Sequence, residues 1–205
     1  MNQSRCKTRT RRFRTTVMRI VFPSLLLVTS VYSQQAPRPP VNYRDNGACP
    51  FECCTYRRWS VDADTVIYKD QSEKSGVAFR AKKGEHVVGI TGVVITLKPG
   101  KAIVRKATTI GQDRRKIRVK PGDVLYLLHY MGEGFYKIWF NGRIYENEMP
   151  TAPDEVGKPT AGRRGESIEV QSEPDTVWWV KVKNGRNQIG WSKQTRNFGN
   201  MDACG

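Results

Sequence analysis

The sequence predicts an all-β protein built from one or two small barrels, and three observations carry that reading. From residue 61 onward, β-branched and aromatic residues fall into short runs separated by Gly-, Pro-, Asn- and Asp-rich turn signals. No stretch beyond the N-terminal segment sustains the periodicity of an amphipathic helix. Past Ser33 four cysteines remain (Cys49, Cys53, Cys54, Cys204), an even number that reads as disulfides in an exported chain.

Export is read from the segment Met1 to Ser33. It holds seven basic side chains (Arg5, Lys7, Arg9, Arg11, Arg12, Arg14, Arg19) and no acid, with an apolar run from Ile20 to Val31. A basic start, a short apolar stretch and a small residue before a polar segment describe a secretory signal peptide, cleaved after Ser33. The run is short for a membrane span, which needs about 20 apolar residues; an uncleaved anchor helix is the alternative. The rest of the chain, Gln34 to Gly205, carries 28 basic and 19 acidic side chains, net +9 against +16 for the whole chain. A secreted or periplasmic protein of one domain, or two small ones, is expected, with no transmembrane anchor after cleavage.

The elements follow in order. Residues 34–60 comprise a proline-rich leader, QQAPRPPVNYRDNG, and the cysteine cluster ACPFECC. TVIYK (65–69), GVAFRA (76–81) and HVVGITGVVITL (86–97) are strands of a first barrel, residues 61–97. AIVRKA (102–107), KIRV (116–119), VLYLLHY (124–130), FYKIWF (135–140) and IYE (144–146) make a second unit over 98–146. Within it MGEG turns one hairpin and NGR signals another. Residues 147–175 read as a loop, aperiodic and rich in Pro, Gly and charge through 165. TVWWVKVK (176–183) and NQIGWSK (187–193) bring the chain back to the first barrel, residues 176–205.

Alternation assigns the faces. Trp178, Val180 and Val182 share one side of their strand and Trp179, Lys181 and Lys183 the other, so the aliphatic set faces the core. Likewise Tyr136, Ile138 and Phe140 oppose Phe135, Lys137 and Trp139. Both strands are expected to present aromatics and a lysine outward.

Two segments, VIYKDQSEKSGVAFRAKKGEHVVGITG (66–92) and WWVKVKNGRNQIGWS (178–192), resemble the bacterial type of Src-homology-3-like domain. The shared pattern is strand, loop, KKGE with an apolar strand, aromatic-x-Lys-Val, turn, and GW. The long stretch from Val93 to Val177 separates the two pieces, a departure from the pattern, and within it VKPGDVLYLLHYMGEGFYKIWFNGRIYE (119–146) resembles it again. The resemblance implies a second barrel inserted into the first, or one elaborated barrel, with the termini close together. It also implies a ligand groove at the first aromatic of each aromatic-x-x-aliphatic strand, here Trp179 with Val182 and Phe135 with Ile138. Lys181, Lys137 and Trp139 lie on the same faces. A non-enzymatic module at the cell envelope follows, binding a wall polymer or a secreted protein. Packing of these rings between the barrels is the alternative.

The cysteines allow three pairings. A Cys53–Cys54 bridge closes a strained eight-membered ring and ranks last. Every pairing ties the cluster to Cys204, so the two ends of the domain are expected together. A zinc site usually pairs C-x-x-C motifs, whereas the spacing here is C-x-x-x-C-C without a neighbouring histidine. Redox centres favour C-x-x-C with a lowered thiol pKa. An extracytoplasmic thiol, redox or metal-dependent protein using Cys53 or Cys54 is the second functional reading. His86 and His129 are the only histidines. With no nucleophile elbow, paired metal motif or phosphate loop, no catalytic residue, metal ligand or cofactor is assigned.

A third reading comes from charge. Residues 98–120 carry nine Lys or Arg against Asp113 alone. Arg114, Arg115, Lys116 and Arg118 form the densest part, a candidate patch for anionic polymers. No aromatic interrupts the stretch, so base stacking, and with it specific nucleic-acid binding, is not expected.

Overall fold

The computed structural model describes residues 37–150 and 166–204; the expected signal peptide and residues 151–165 of the expected loop lie outside them. Strands dominate these residues, as the alternation requires. The first sheet holds β1 (Tyr43–Asn46), β2 (Arg58–Val61), β3 (Thr65–Tyr68), β4 (Val77–Ala81) and the long β5 (His86–Lys98). It also takes β13 (Asp175–Lys183), β14 (Ile189–Ser192) and β15 (Phe198–Gly199) from the end of the chain. Its order is β15-β2-β5-β13-β14-β3-β4, with β1 paired to β5 as well.

The second sheet contains β6 (Gly100–Val104), β9 (Val124–Gly132), β10 (Phe135–Phe140), β11 (Arg143–Glu148) and β12 (Ile168–Ser172). Its order is β11-β10-β9-β6-β12, and β7 (Thr108–Ile110) and β8 (Ile117–Val119) form a separate hairpin. Every strand of the second sheet falls between β5 and β13 in sequence. Lys98 faces Asp175 across the β5–β13 ladder, so the chain leaves and re-enters the first sheet at neighbouring points.

Each sheet buries the face that alternation assigns to it. Val180 and Val182 join Trp59, Val61, Ile67, Phe79 and Val87, with Trp178 at the margin. Tyr136, Ile138 and Phe140 join Leu125, Leu127, Val104 and Val170. Gly89 is placed by the first of these cores, since a Cβ there would lie 2.7 Å from Cζ2 of the buried Trp59 indole. A rigid ring has no room to yield. Gly89→Ala is therefore expected to cost about 2 kcal/mol in urea unfolding, whereas Gly84→Ala meets nothing within 4 Å and tests only its left-handed backbone, φ 88°.

Five strands arise where the sequence reading places none: β1, β2, β7, β12 and β15. β1 lies in the expected leader and β12 in the expected 147–175 loop. Neither segment announces itself locally: β1 reads YRDN, a polar tetrapeptide that becomes a strand only because β5 offers it a ladder from Tyr43–Thr96 to Asn46–Val93. β12 completes the second sheet by pairing with β6.

The ends of the fold are tied covalently. Cys49 bonds Cys54 and Cys53 bonds Cys204, with Cα separations of 5.4 and 5.7 Å, both within the range that such a bridge spans. The long bridge starts at Cys53 rather than at the chain's beginning. Around it the tail adds backbone bonds: Ala203 N–H donates to Cys53 O (2.8 Å) and Thr55 N–H to Met201 O (2.9 Å). Arg57 reaches Asn200 Oδ1 at 2.7 Å.

Candidate basic groove

The hairpin β10–β11 turns through Asn141 and Gly142, with φ of 48° and 79°, and Phe140 pairs with Arg143 across them. Two left-handed residues in a two-residue loop are what an Asn-Gly turn supplies. The turn places Arg143 at the start of β11, exposed. Opposite stands the loop joining β7 to β8. It begins at Gly111, whose N–H donates to Asn147 Oδ1 on β11 (3.0 Å), and it turns at Asp113–Arg115 in a single 3-10 turn. That anchor holds the loop's basic tip against the hairpin.

Between them runs a groove of about 560 Å³ lined by Arg114, Arg115, Lys116 and Arg143, with Ile117, Trp139, Ile144 and Tyr145 as its apolar part. A second hollow of about 530 Å³ shares Arg114, Arg115, Ile144 and Tyr145 and adds Asp113 and Glu146. Among the described residues, no hydrogen bond or ion pair engages the side chains of Arg114, Arg115, Lys116 or Arg143. Four cations around an indole, outnumbering the neighbouring Asp113 and Glu146, form a surface suited to a ligand that carries negative charge and an apolar face. The indole is held in place by its own N–H, which donates to Pro37 O at 2.8 Å.

No protein family, curated protein or solved structure matches the chain. The site's chemistry therefore rests on its own residues.

The groove unites two separate expectations. Trp139 follows from strand alternation; Arg114, Arg115 and Lys116 follow from the charge run. Arg143 escapes sequence reasoning, because a lone arginine after an Asn-Gly turn carries no local signal of what faces it. Arg118 lies on β8, exposed and outside the groove. Phe135 is half-buried at a separate shallow hollow with Lys116, Asn147 and Glu148.

Three expected ligand residues need correction. Trp179 is on the face that alternation assigns, but it is only 5% exposed and packs with Val93 and Ile95. Tyr68 meets its ring edge-on with centroids 6.4 Å apart. At this end of β13 the outer face is itself covered, by partly buried Tyr68, Val177 and Trp191. Lys181 stands over the Trp191 ring at 5.7 Å rather than open to a ligand. Lys137 is likewise engaged, because β1 crosses above it.

That crossing builds a polar cluster of three residues. Lys137 Nζ lies 2.6 Å and His129 Nε2 2.7 Å from the same Asp45 oxygen. His129 Nδ1 is 2.8 Å from Tyr130 O. Burial pushes the Asp45 carboxyl upward, but hydrogen bonds from His129 and Lys137, with their charges, outweigh it and hold the group below its ordinary 3.8. Nearby Tyr43 is raised to about 12, by burial first and the Asp45 charge second. The cluster joins β1 of the first sheet to β9 and β10 of the second. With its charges paired inside the protein, it is a structural brace.

The cysteine positions also settle into a structural arrangement. Glu52, Cys53 and Cys204 offer ligand atoms within 4.8 Å of one another, yet both sulfurs are in a disulfide. Cys53 and Cys54 thus present no thiolate for metal or redox chemistry in this state. Among the described residues no helix is long and apolar enough to cross a membrane.

Proposed function

We propose that the protein is an exported binding module of the cell envelope that holds an anionic polymer in the groove between the β7–β8 loop and the β10–β11 hairpin. One observation supports this above the rest: Arg114, Arg115, Lys116 and Arg143, whose side chains make no hydrogen bond or ion pair among the described residues, converge on a single groove floored by Trp139 and Ile117. Arg114, Arg115 and Lys116 are consecutive in the chain, but setting Arg143 opposite them gains nothing for folding, because like charges brought together repel. A bound polyanion offsets that repulsion. Guanidinium groups give two-pronged bonds to carboxylate, sulfate or phosphate, and the indole offers a flat apolar contact.

In this reading the first sheet is an Src-homology-3-like barrel, and the segment from Met1 to Ser33 directs export before removal. The two disulfides fit an oxidising compartment. The groove proposed for the ligand lies on the second sheet, away from Trp179.

Retention on immobilised polygalacturonate tests the proposal. Wild type is expected to bind at low ionic strength and to lose most retention as salt approaches about 0.5 M, where screening shortens the reach of charge to a few ångströms. Arg114→Glu with Arg115→Glu and Arg143→Glu is expected to weaken binding about 100-fold or more. Trp139→Ala is expected to weaken it about 10-fold. Arg186→Glu, at the exposed β13–β14 turn of the first sheet, serves as the control of equal nominal charge change per site. Equal retention of the triple variant and wild type would remove the groove from consideration.

A further inference from the structure

The outer face of the second sheet carries more than one groove. Across its strands, Lys101 on β6 pairs with Tyr126 on β9. Tyr126 pairs with Trp139 on β10, and Trp139 with Ile144 on β11. Residues paired across antiparallel strands project to the same side. Their chain neighbours Ala102, Leu125, Leu127, Ile138, Phe140 and Tyr145 are buried beneath, so Lys101, Tyr126, Trp139 and Ile144 form one outward row. Trp139 belongs to the basic groove. Tyr126 and Lys101 belong to a second one, of about 360 Å³, whose other wall is Arg38 and Pro39 of the leader together with Leu97. The two meet where the Trp139 indole donates to Pro37 O.

We propose that this second groove is a further subsite for the same ligand, and that the ligand is a linear acidic polysaccharide lying along the row, across the strands. This rests on the anionic-polymer reading of the first groove. The spacing of the row fits a sugar chain. Adjacent strands lie about 4.8 Å apart, which sets Tyr126 and Trp139 about one pyranose residue from each other. Aromatic faces take the C–H faces of sugars. Cations stand at both ends of the row, Arg143 with Arg114 and Arg115 at one and Lys101 with Arg38 at the other, to receive carboxylates. Neither Lys101 nor Arg38 has a side-chain hydrogen bond or ion pair among the described residues.

Titration calorimetry with dimeric and octameric oligogalacturonates, on the oxidised full-length protein, tests the subsite. The octamer is expected to bind wild type at least 10-fold tighter than the dimer, which is too short to reach from the basic groove to Lys101. Tyr126→Ala with Lys101→Glu is expected to abolish most of that advantage and to weaken the dimer far less than the octamer. Lys101→Glu alone, at an exposed position whose side chain has no partner among the described residues, is expected to reduce it in the same direction. Arg114→Glu with Arg115→Glu weakens both oligomers. Equal affinity of the two lengths for wild type, or octamer binding indifferent to the Tyr126 and Lys101 changes, overturns the subsite and leaves the first groove standing. A single-stranded DNA octamer that outcompetes octagalacturonate overturns the choice of polysaccharide. Absence of binding by wild type to either oligomer overturns both readings.

Discussion

Replacing Cys53 and Cys204 together by serine is expected to lower the free energy of unfolding by about 5 kcal/mol, the chain-entropy value for so long a loop. The bridge spans 151 residues, and its chief effect is on the unfolded chain, whose ends it keeps from separating. The folded tail has other anchors. Phe198 and Gly199 pair with β2, and Ala203 and Thr55 make backbone bonds across the same seam. The variant is therefore expected to keep its native circular-dichroism spectrum at room temperature while its melting temperature drops by about 10–20 °C. Cys49→Ser with Cys54→Ser opens a far shorter loop, of sequence separation 5, and the same account assigns it a loss of about 2 kcal/mol. Equal losses from the two variants would show that local packing around the cluster, rather than loop closure, sets the stability.

Asp45→Asn is expected to be nearly as severe, costing about 3 kcal/mol in urea unfolding. The aspartate answers two partners at once, His129 and Lys137, whose side chains are 3% and 16% exposed. Removing it leaves a largely buried ammonium with only the half-exposed Glu146 carboxylate, 4.0 Å away, as counter-charge, and that is the expensive outcome. Restoring balance with Lys137→Met in the Asp45→Asn background is expected to recover part of the loss, a coupling that a double-mutant cycle reads directly. The pH dependence has a definite sign. Asp45 is held below its ordinary 3.8 in the folded protein, so the folded state binds a proton less readily than the unfolded chain. Its contribution is complete above the ordinary value and is lost as pH falls through the lowered one. The gap between wild type and Asp45→Asn should accordingly narrow below about pH 3.8. A gap that stays constant into acid would mean that Asp45 acts through shape rather than charge.

The brace and the groove differ in how far they can be read from the chain. Lys137 and Trp139 are both legible as outward residues of one strand, since alternation within FYKIWF is a local property of a pleated backbone. Their fates are not. Lys137 is claimed by an aspartate 92 residues away on a strand that has no propensity of its own. Trp139 stays half-open to a groove whose opposite bank is another hairpin.

Sequence alone determined the all-β class, most of the strands, the two core faces, the Asn-Gly turn and the presence of disulfides tying the cluster to Cys204. All of these follow from periods of two, turn chemistry and cysteine parity, which act over a few residues or by simple counting. Tertiary structure decided which outward residues remain available to a ligand. It covered Trp179, engaged Lys181 and Lys137, recruited YRDN as β1, and set Arg143 opposite Arg114 and Arg115. Exposure depends on what packs against a face, and in this chain the covering or facing residue usually lies far off in sequence.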